Sequence, residues 1–158
     1  MNVDFKKKLL LIFCAALVVR VVGLGFVPPG LNSDELLKAY DGACVYLTGK
    51  DHHGETLPLF FKQSGEYSPP LYTYFAGLFS APFGINAYTV RLPAAFIGAL
   101  TVLAAYYFGT QYKDKSCGIL LAALTALSPW NLYFSRIGWE AISLVLVQLT
   151  ALAVFFHW

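Results

Sequence analysis

The chain has 158 residues, of which 58% are hydrophobic, 16% aromatic and 13% charged, and its mean hydropathy is +0.60. Soluble domains carry about 25% charged residues, so this composition argues against a water-soluble globule and for an integral membrane protein. Eleven basic and nine acidic side chains give a net charge of +2, scattered over short segments, with no basic face to neutralise a nucleic-acid backbone. Cys14, Cys44 and Cys117 are too widely spaced for a disulfide framework or a zinc motif.

Lys6 to Lys8 precede the apolar run Leu9 to Val27. That run is longer than a signal-peptide core and ends in Val27-Pro28-Pro29-Gly30, not in a small-x-small cleavage site. It reads as a retained first transmembrane helix over 9–27, with the lysines holding its start in the cytoplasm. Arg20 lies inside the run, where a lone charge costs about 2.5–3.5 kcal/mol; it either snorkels outward or points into a helix bundle.

Between Pro28 and Ser68 the composition turns polar, with Asp34, Glu35, Lys38, Asp41, Lys50, Asp51, His52, His53, Glu55, Lys62 and Glu66 in one stretch. This is an outer loop with structure of its own. Asn32 and Glu35 have the spacing of a capping box, and Leu36, Leu37, Tyr40, Cys44 and Leu47 recur at helical intervals. An amphipathic helix over 33–48 is expected, lying along the membrane surface. The apolar segment Pro69 to Gly84 is bounded by prolines and, at about 16 residues, is short of a spanning length. An interfacial helix over 69–84 is expected there.

The runs 88–112, 116–134 and 139–158 complete the expected spans, with Lys113-Asp114-Lys115 turning between the first two. If 69–84 stays at the interface, this turn faces the cytoplasm together with Lys6 to Lys8, giving four spans, both ends inside and the loop 28–87 outside. Tyr67, Tyr72, Tyr74, Phe75, Tyr88, Trp130, Tyr133, Phe134 and Trp139 then form a belt at the outer interface. The last run reaches His157-Trp158 without a cap, so the 158 residues read as the front part of a longer chain.

Asp34 and Glu35 follow the first span directly. Acids in a helix's first turn complement its dipole by about 0.3–1 kcal/mol; a carboxylate held at the membrane surface can also deprotonate a hydroxyl or amine, or coordinate a divalent metal. Glu140 opens onto the same outer surface, either paired with Arg136 four residues earlier or as a functional acid at a span's mouth. Arg91, beginning the second span, is a phosphate-binding fork or an interfacial anchor. Glu66, shortly before Pro69-Pro70, faces the pocket of Asp34 or simply solvent. Asp51-His52-His53-Gly54-Glu55 has metal-friendly residues, but adjacent histidines are expected to diverge and no further ligand falls at a known spacing, so it reads as a polar turn at Gly54.

The order NSDEL, TGKDHHGETLPLFF, YSPPLYTYFAGLFSAPFGINAYTVRLPAAFIGALTVLAAYYFG and SPWNLYFSR resembles the protein O-mannosyltransferase-like family of bacterial membrane glycosyltransferases. That family includes lipid A aminoarabinose transferases and shares the GT-C fold. The resemblance runs from about residue 9 to the end, and its RLPAAFIGALTVL and SPPLY elements are specific in combination. It implies an all-α polytopic membrane protein, here a GT-C N-terminal module of about four transmembrane helices with juxtamembrane helices in the first outer loop. It further implies an inverting transferase at the cell membrane, acting on the outer face with a polyprenyl-phosphate sugar as donor. Asp34 corresponds to the family's catalytic acid, with Glu35 beside it; Glu66, Arg91, Arg136 and Glu140 are the implied substrate-binding residues. A divalent metal stays open, with no ligands assigned. Later helices of such enzymes build much of the donor phosphate site, so residues 1–158 alone are expected to be inactive and to act with a C-terminal remainder. Tyr67-Ser68 stand where the aminoarabinose branch has Glu-Lys, which argues against that branch's substrate. The alternative from a different class is a non-catalytic membrane subunit or scaffold.

Overall fold

The structure, a computed structural model, describes residues 3–63 and 65–157. It is mostly helical: α1 Val3–Val21, α2 Ser33–Thr48, α3 Pro70–Phe83, α4 Ala87–Tyr112, α5 Lys115–Leu127, α6 Pro129–Phe134 and α7 Ala141–His157, with an antiparallel hairpin of β1 Phe61–Gln63 and β2 Glu66–Ser68. Among the described residues α4 alone is long and apolar enough to cross a membrane by length and composition; α5 and α7 are shorter apolar helices. Residue 158, the last of the expected final span, lies outside the described residues.

Helix limits follow local chemistry, and three expected spans change. The first helix takes in Lys6 to Lys8 but stops at Val21 instead of reaching 27. Gly23 is left-handed, with φ of 67°, and the N–H groups of Phe26 and Val27 both turn back to its carbonyl. The expected run 116–134 is cut at Ser128, which precedes Pro129 and so favours extended backbone; its hydroxyl caps the Asn131 N–H of α6 at 3.4 Å. The last helix starts at Ala141, leaving Trp139 and Glu140 in the preceding turn. By contrast α2 keeps its expected limits, between the Asn32 cap and left-handed Gly49. The short hairpin was not anticipated.

The chain divides into two compact units. The first comprises Met1–Val22, Ala95–Ser135 and Ala141–Trp158. Ala16, Val102, Tyr106 and Ala122 form its core, flanked by Leu9, Ile12, Ile119 and Ala126. Large side chains such as Leu10, Leu11, Leu120, Leu124, Leu144 and Phe155 point outward. Small residues bring helices together: a Cβ on Gly109 would sit 2.7 Å from the Gly118 Cα. Arg20 is buried in this unit. Its guanidinium donates to the Ala16 carbonyl at 2.9 Å and to Asn131 Oδ1 at 2.7 Å, and Asn131 Nδ2 donates to Thr101 Oγ1 at 3.0 Å. Of the two expectations for Arg20, the inward one holds.

The second unit comprises Gly23–Ala94 and Arg136–Glu140. Here α2 and α3 pack backbone to backbone. A Cβ on Gly42 would fall on the Thr73 carbonyl and 2.6 Å from the Gly77 nitrogen, and one on Gly77 would fall 2.7 Å from the Gly42 Cα. The face of α2 that turns inward is its polar and small-residue face. Glu35, Lys38, Ala39, Asp41, Gly42, Ala43 and Val45 are buried, while Leu36, Tyr40 and Leu47, three of the residues marking the apolar stripe, are exposed. On α3, likewise, Thr73, Ala76, Gly77 and Ser80 are buried while Leu71, Phe75 and Leu78 face out. Small and charged groups inside with large apolar groups outside is the arrangement suited to an apolar surround, because lipid removes the incentive to hide leucines and raises the cost of exposing charge.

Candidate functional site

The residues singled out for chemistry all fall in the second unit: Asp34, Glu35, Arg91 and Glu140 on or against the first two turns of α2, Arg136 in the segment that also holds Glu140, Glu66 on the hairpin, and Asp51 to Glu55 in the turn that follows α2. The capping box sets the geometry. Asn32 Oδ1 accepts the Glu35 N–H at 2.7 Å, and Glu35 Oε2 accepts the Asn32 N–H at 3.1 Å. This fixes α2's first turn, so Glu35 points into the unit while Asp34, one residue earlier, is exposed.

Glu35 is 1% exposed and fully engaged. Its Oε1 accepts from Arg91 Nε at 2.8 Å and from the Gly138 N–H at 2.7 Å; its Oε2 accepts from an Arg91 terminal nitrogen at 3.0 Å and from Asn32. A carboxylate has about four acceptor positions, and all are filled. Burial alone would raise the Glu35 carboxyl, but the Arg91 side-chain bonds, those from the Gly138 and Asn32 N–H groups and the Arg91 charge outweigh it and hold the carboxyl below the usual range. With every acceptor position filled by Arg91, Gly138 and Asn32, this carboxylate is committed to holding the unit together. The same geometry commits Arg91. Its remaining donors go to the carbonyls of Leu24 at 3.3 Å, Pro28 at 2.7 Å and Gly30, so the five N–H groups of its fork have protein partners and none is left for a phosphate.

Around this pair the packing is close. Tyr72, fully buried, donates its hydroxyl to the Val90 carbonyl at 2.6 Å. Burial, with the Glu35 charge, pushes its phenol well above the ordinary range. A Cβ on Gly138 would lie 3.1 Å from both Glu35 Cγ and the Tyr72 hydroxyl, so the segment Arg136–Glu140 approaches α2 by virtue of having glycine there. One turn beyond Glu35, Lys38 is 4% exposed and pairs with Glu140 at 2.7 Å, its ammonium 6.0 Å from the Trp139 ring centroid. Glu140 therefore pairs with Lys38, not with Arg136 as the i, i+4 spacing suggested. Arg136 instead donates to the Val27 carbonyl at 3.1 Å.

Asp34 differs from all of these. Its carboxylate is exposed, and among the described residues it takes part in no hydrogen bond or ion pair. Glu66 lies exposed on β2 opposite Gln63. Sequence reasoning missed Lys38 and Asp41. The available signal was their spacing: positions 35, 38, 41 or 42 and 45 share one helical face, and three of the four carry charge. Among the described residues no group of three or more His, Cys, Asp or Glu side chains is arranged to hold a metal ion.

No family model matches the chain, and neither a curated protein nor a solved structure matches it.

Proposed function

We propose that the chain is the N-terminal module of a multi-pass membrane glycosyltransferase of the GT-C type, with its active face outward. It moves a sugar from a polyprenyl-phosphate donor to a protein, lipid or glycan acceptor. The observation that carries the reading is the divided acid pair. Glu35 is spent on Arg91, Gly138 and Asn32, and that anchoring presents Asp34, one residue away, with an unengaged carboxylate. An unengaged, rigidly placed carboxylate is what general-base attack by an acceptor hydroxyl or amine requires. Glu140 and Arg136 border the same unit and are the remaining candidates for contact with substrate, and Lys38 orients Glu140. The outward-facing leucines and aromatics of both units support a lipid surround, and α4 supplies a helix able to span it.

The test is transfer of labelled sugar from a polyprenyl-phosphate donor by the full-length protein in proteoliposomes. Asp34→Asn is expected to lower turnover about 10²–10⁴-fold, the usual contribution of a positioned base, with thermal stability unchanged because Asp34 has no partner to lose. Full turnover by this variant returns Asp34 to dipole complementation. It then favours the second reading, a non-catalytic membrane scaffold, which the wholly structural use of Glu35 would also serve.

A further inference from the structure

Charge is divided unequally between the two units. The second holds five basic and seven acidic side chains, the first six and two. Within the first, Arg20 is buried among dipoles. The other seven, Lys6, Lys7, Lys8, Lys113 and Lys115 with Asp4 and Asp114, belong to two short stretches, the start of α1 and the turn from α4 into α5. Packing brings these stretches to one end of the unit. Phe5, near the start of α1, shares an open cavity of about 720 Å³ with Thr110 and Gln111 from the last turn of α4 and with Asp114, Lys115 and Ser116 at the start of α5.

The acids at this end are already engaged. Asp4 pairs with Lys8 at 3.0 Å, and Asp114 Oδ1 caps α5 by accepting the Cys117 N–H at 2.8 Å. Lys6, Lys7, Lys113 and Lys115 are exposed, and their ammonium groups make no hydrogen bond or ion pair among the described residues. Gln111 Oε1 lies 3.2 Å from His157 Nδ1, which leaves the amide's two N–H donors unused, and the Ser116 hydroxyl is exposed. The cavity therefore offers an ammonium, a hydroxyl and an amide, all donors, beside one aromatic ring. Four unpaired ammonium groups repel one another and need a counter-ion. At the end of a bundle whose sides present leucines, the counter-ion at hand is the phosphate of an anionic lipid, and basic pockets between membrane helices are suited to such headgroups.

We propose that this end of the first unit is a headgroup site for an anionic glycerophospholipid. Lys115, Ser116 and Gln111 take the phosphate, Phe5 meets the start of an acyl chain, and Lys6, Lys7 and Lys113, next to the lining in the chain, supply the surrounding positive field. The site rests on the membrane placement proposed above and is independent of sugar transfer.

The full chain is reconstituted into phosphatidylcholine vesicles carrying a trace of nitroxide-labelled phosphatidylglycerol or, in parallel, labelled phosphatidylcholine, and electron paramagnetic resonance reads the fraction of label immobilised on the protein. Wild type is expected to hold the anionic label in preference to the neutral one. Lys115→Gln should weaken that preference about fivefold, the usual worth of one lysine near a charged headgroup. Ser116→Ala should weaken it measurably, Lys6→Gln less than Lys115→Gln, and Lys50→Gln in the other unit not at all. All four side chains are exposed, so their loss leaves the packing intact. Equal losses for Lys6→Gln and Lys115→Gln with Ser116→Ala silent would reveal diffuse surface attraction and overturn the site. Displacement of the label by soluble glycerol phosphate would overturn a lipid as the ligand. Entry into the vesicles without preference for the anionic label defeats this proposal alone, whereas failure to enter them defeats the membrane placement as well.

Discussion

Two arginines are buried in this molecule, one in each unit, and they are accommodated by different means. Arg91 meets a carboxylate face on, with the carbonyls of Leu24, Pro28 and Gly30 taking its other donors. Arg20 is met by the neutral dipoles of the Ala16 carbonyl and the Asn131 amide, with Thr101 behind the amide. The first arrangement is a formal neutralisation, intolerant of losing either member, since the survivor is left as a buried charge. The second spreads the charge over dipoles that reach only a little way. Both tie together segments far apart in the chain, but only the first leaves a bare buried charge when one member is lost.

The largest effect should come from breaking the pair. Arg91→Met leaves Glu35 buried without its cation and is expected to destabilise by about 3–5 kcal/mol, read as a fall in unfolding midpoint in detergent. The double variant Arg91→Met/Glu35→Leu should recover most of the loss. If the single and double variants are equally damaged, packing around Arg91 matters more than charge, and the contrast drawn above fails.

Asn131→Leu is the matching test in the other unit. It removes one charge-assisted hydrogen bond from Arg20 and should cost about 1.5–3 kcal/mol, less than the loss of Arg91. A cost as large as that of Arg91→Met would show that the dipole cage is as indispensable as the ion pair.

The glycine contacts permit a finer comparison. Gly42→Ala drives a methyl group onto the Thr73 carbonyl, so α2 and α3 must part, at about 1–3 kcal/mol. Because the capping box and Arg91 hold α2 from its other end, Asp34-dependent turnover should fall less than stability does. Equal loss of both would tie the Asp34 carboxylate, the base of the proposed transfer, to the α2–α3 contact.

The smallest effect concerns pH. Glu35 is held below the usual carboxylate range, so its contribution to stability is complete above the ordinary value and is lost as pH falls through the lower folded value. Melting curves of wild type and Glu35→Gln should therefore converge under acid. A constant gap between them down to strongly acidic pH would count against the Arg91 bond as the cause.

Much of the local structure was legible in the sequence, and the reasons are specific. The limits of α2 could be read because Asn32, Glu35 and Gly49 are short-range signals that act within a turn of themselves. The break at Ser128-Pro129 carried an equally local signal but sat inside an apolar run whose hydropathy hid it. The end of α1 depended on Gly23 and on carbonyls that Arg91 occupies from 61 to 67 residues away, which no window of sequence contains. The site followed the same division. The adjacent acids were visible as a pair, but which of them would be buried was decided by Arg91, 56 residues on, and by Gly138, 103 residues on. The apolar stripe of α2 was legible, but the opposite face, where Lys38 and Asp41 are buried with Glu35, was not, because their burial depends on partners such as Glu140 and His52 far along the chain or beyond the helix.

The position of Arg91 also bears on how the molecule can be taken apart. The segment 28–87, the outer loop of the proposed topology, has helices, a hairpin and a tight turn, and it invites expression as an autonomous piece. Yet the guanidinium that neutralises Glu35 is delivered by α4, beyond the loop's boundary, and the N–H that completes the carboxylate's shell comes from Gly138. An excised loop would keep the buried acid and lose both donors, while presenting Leu36, Tyr40, Leu71 and Phe75 to water. Such a piece should precipitate or melt, because the loop's electrostatic closure is a property of the helix it precedes.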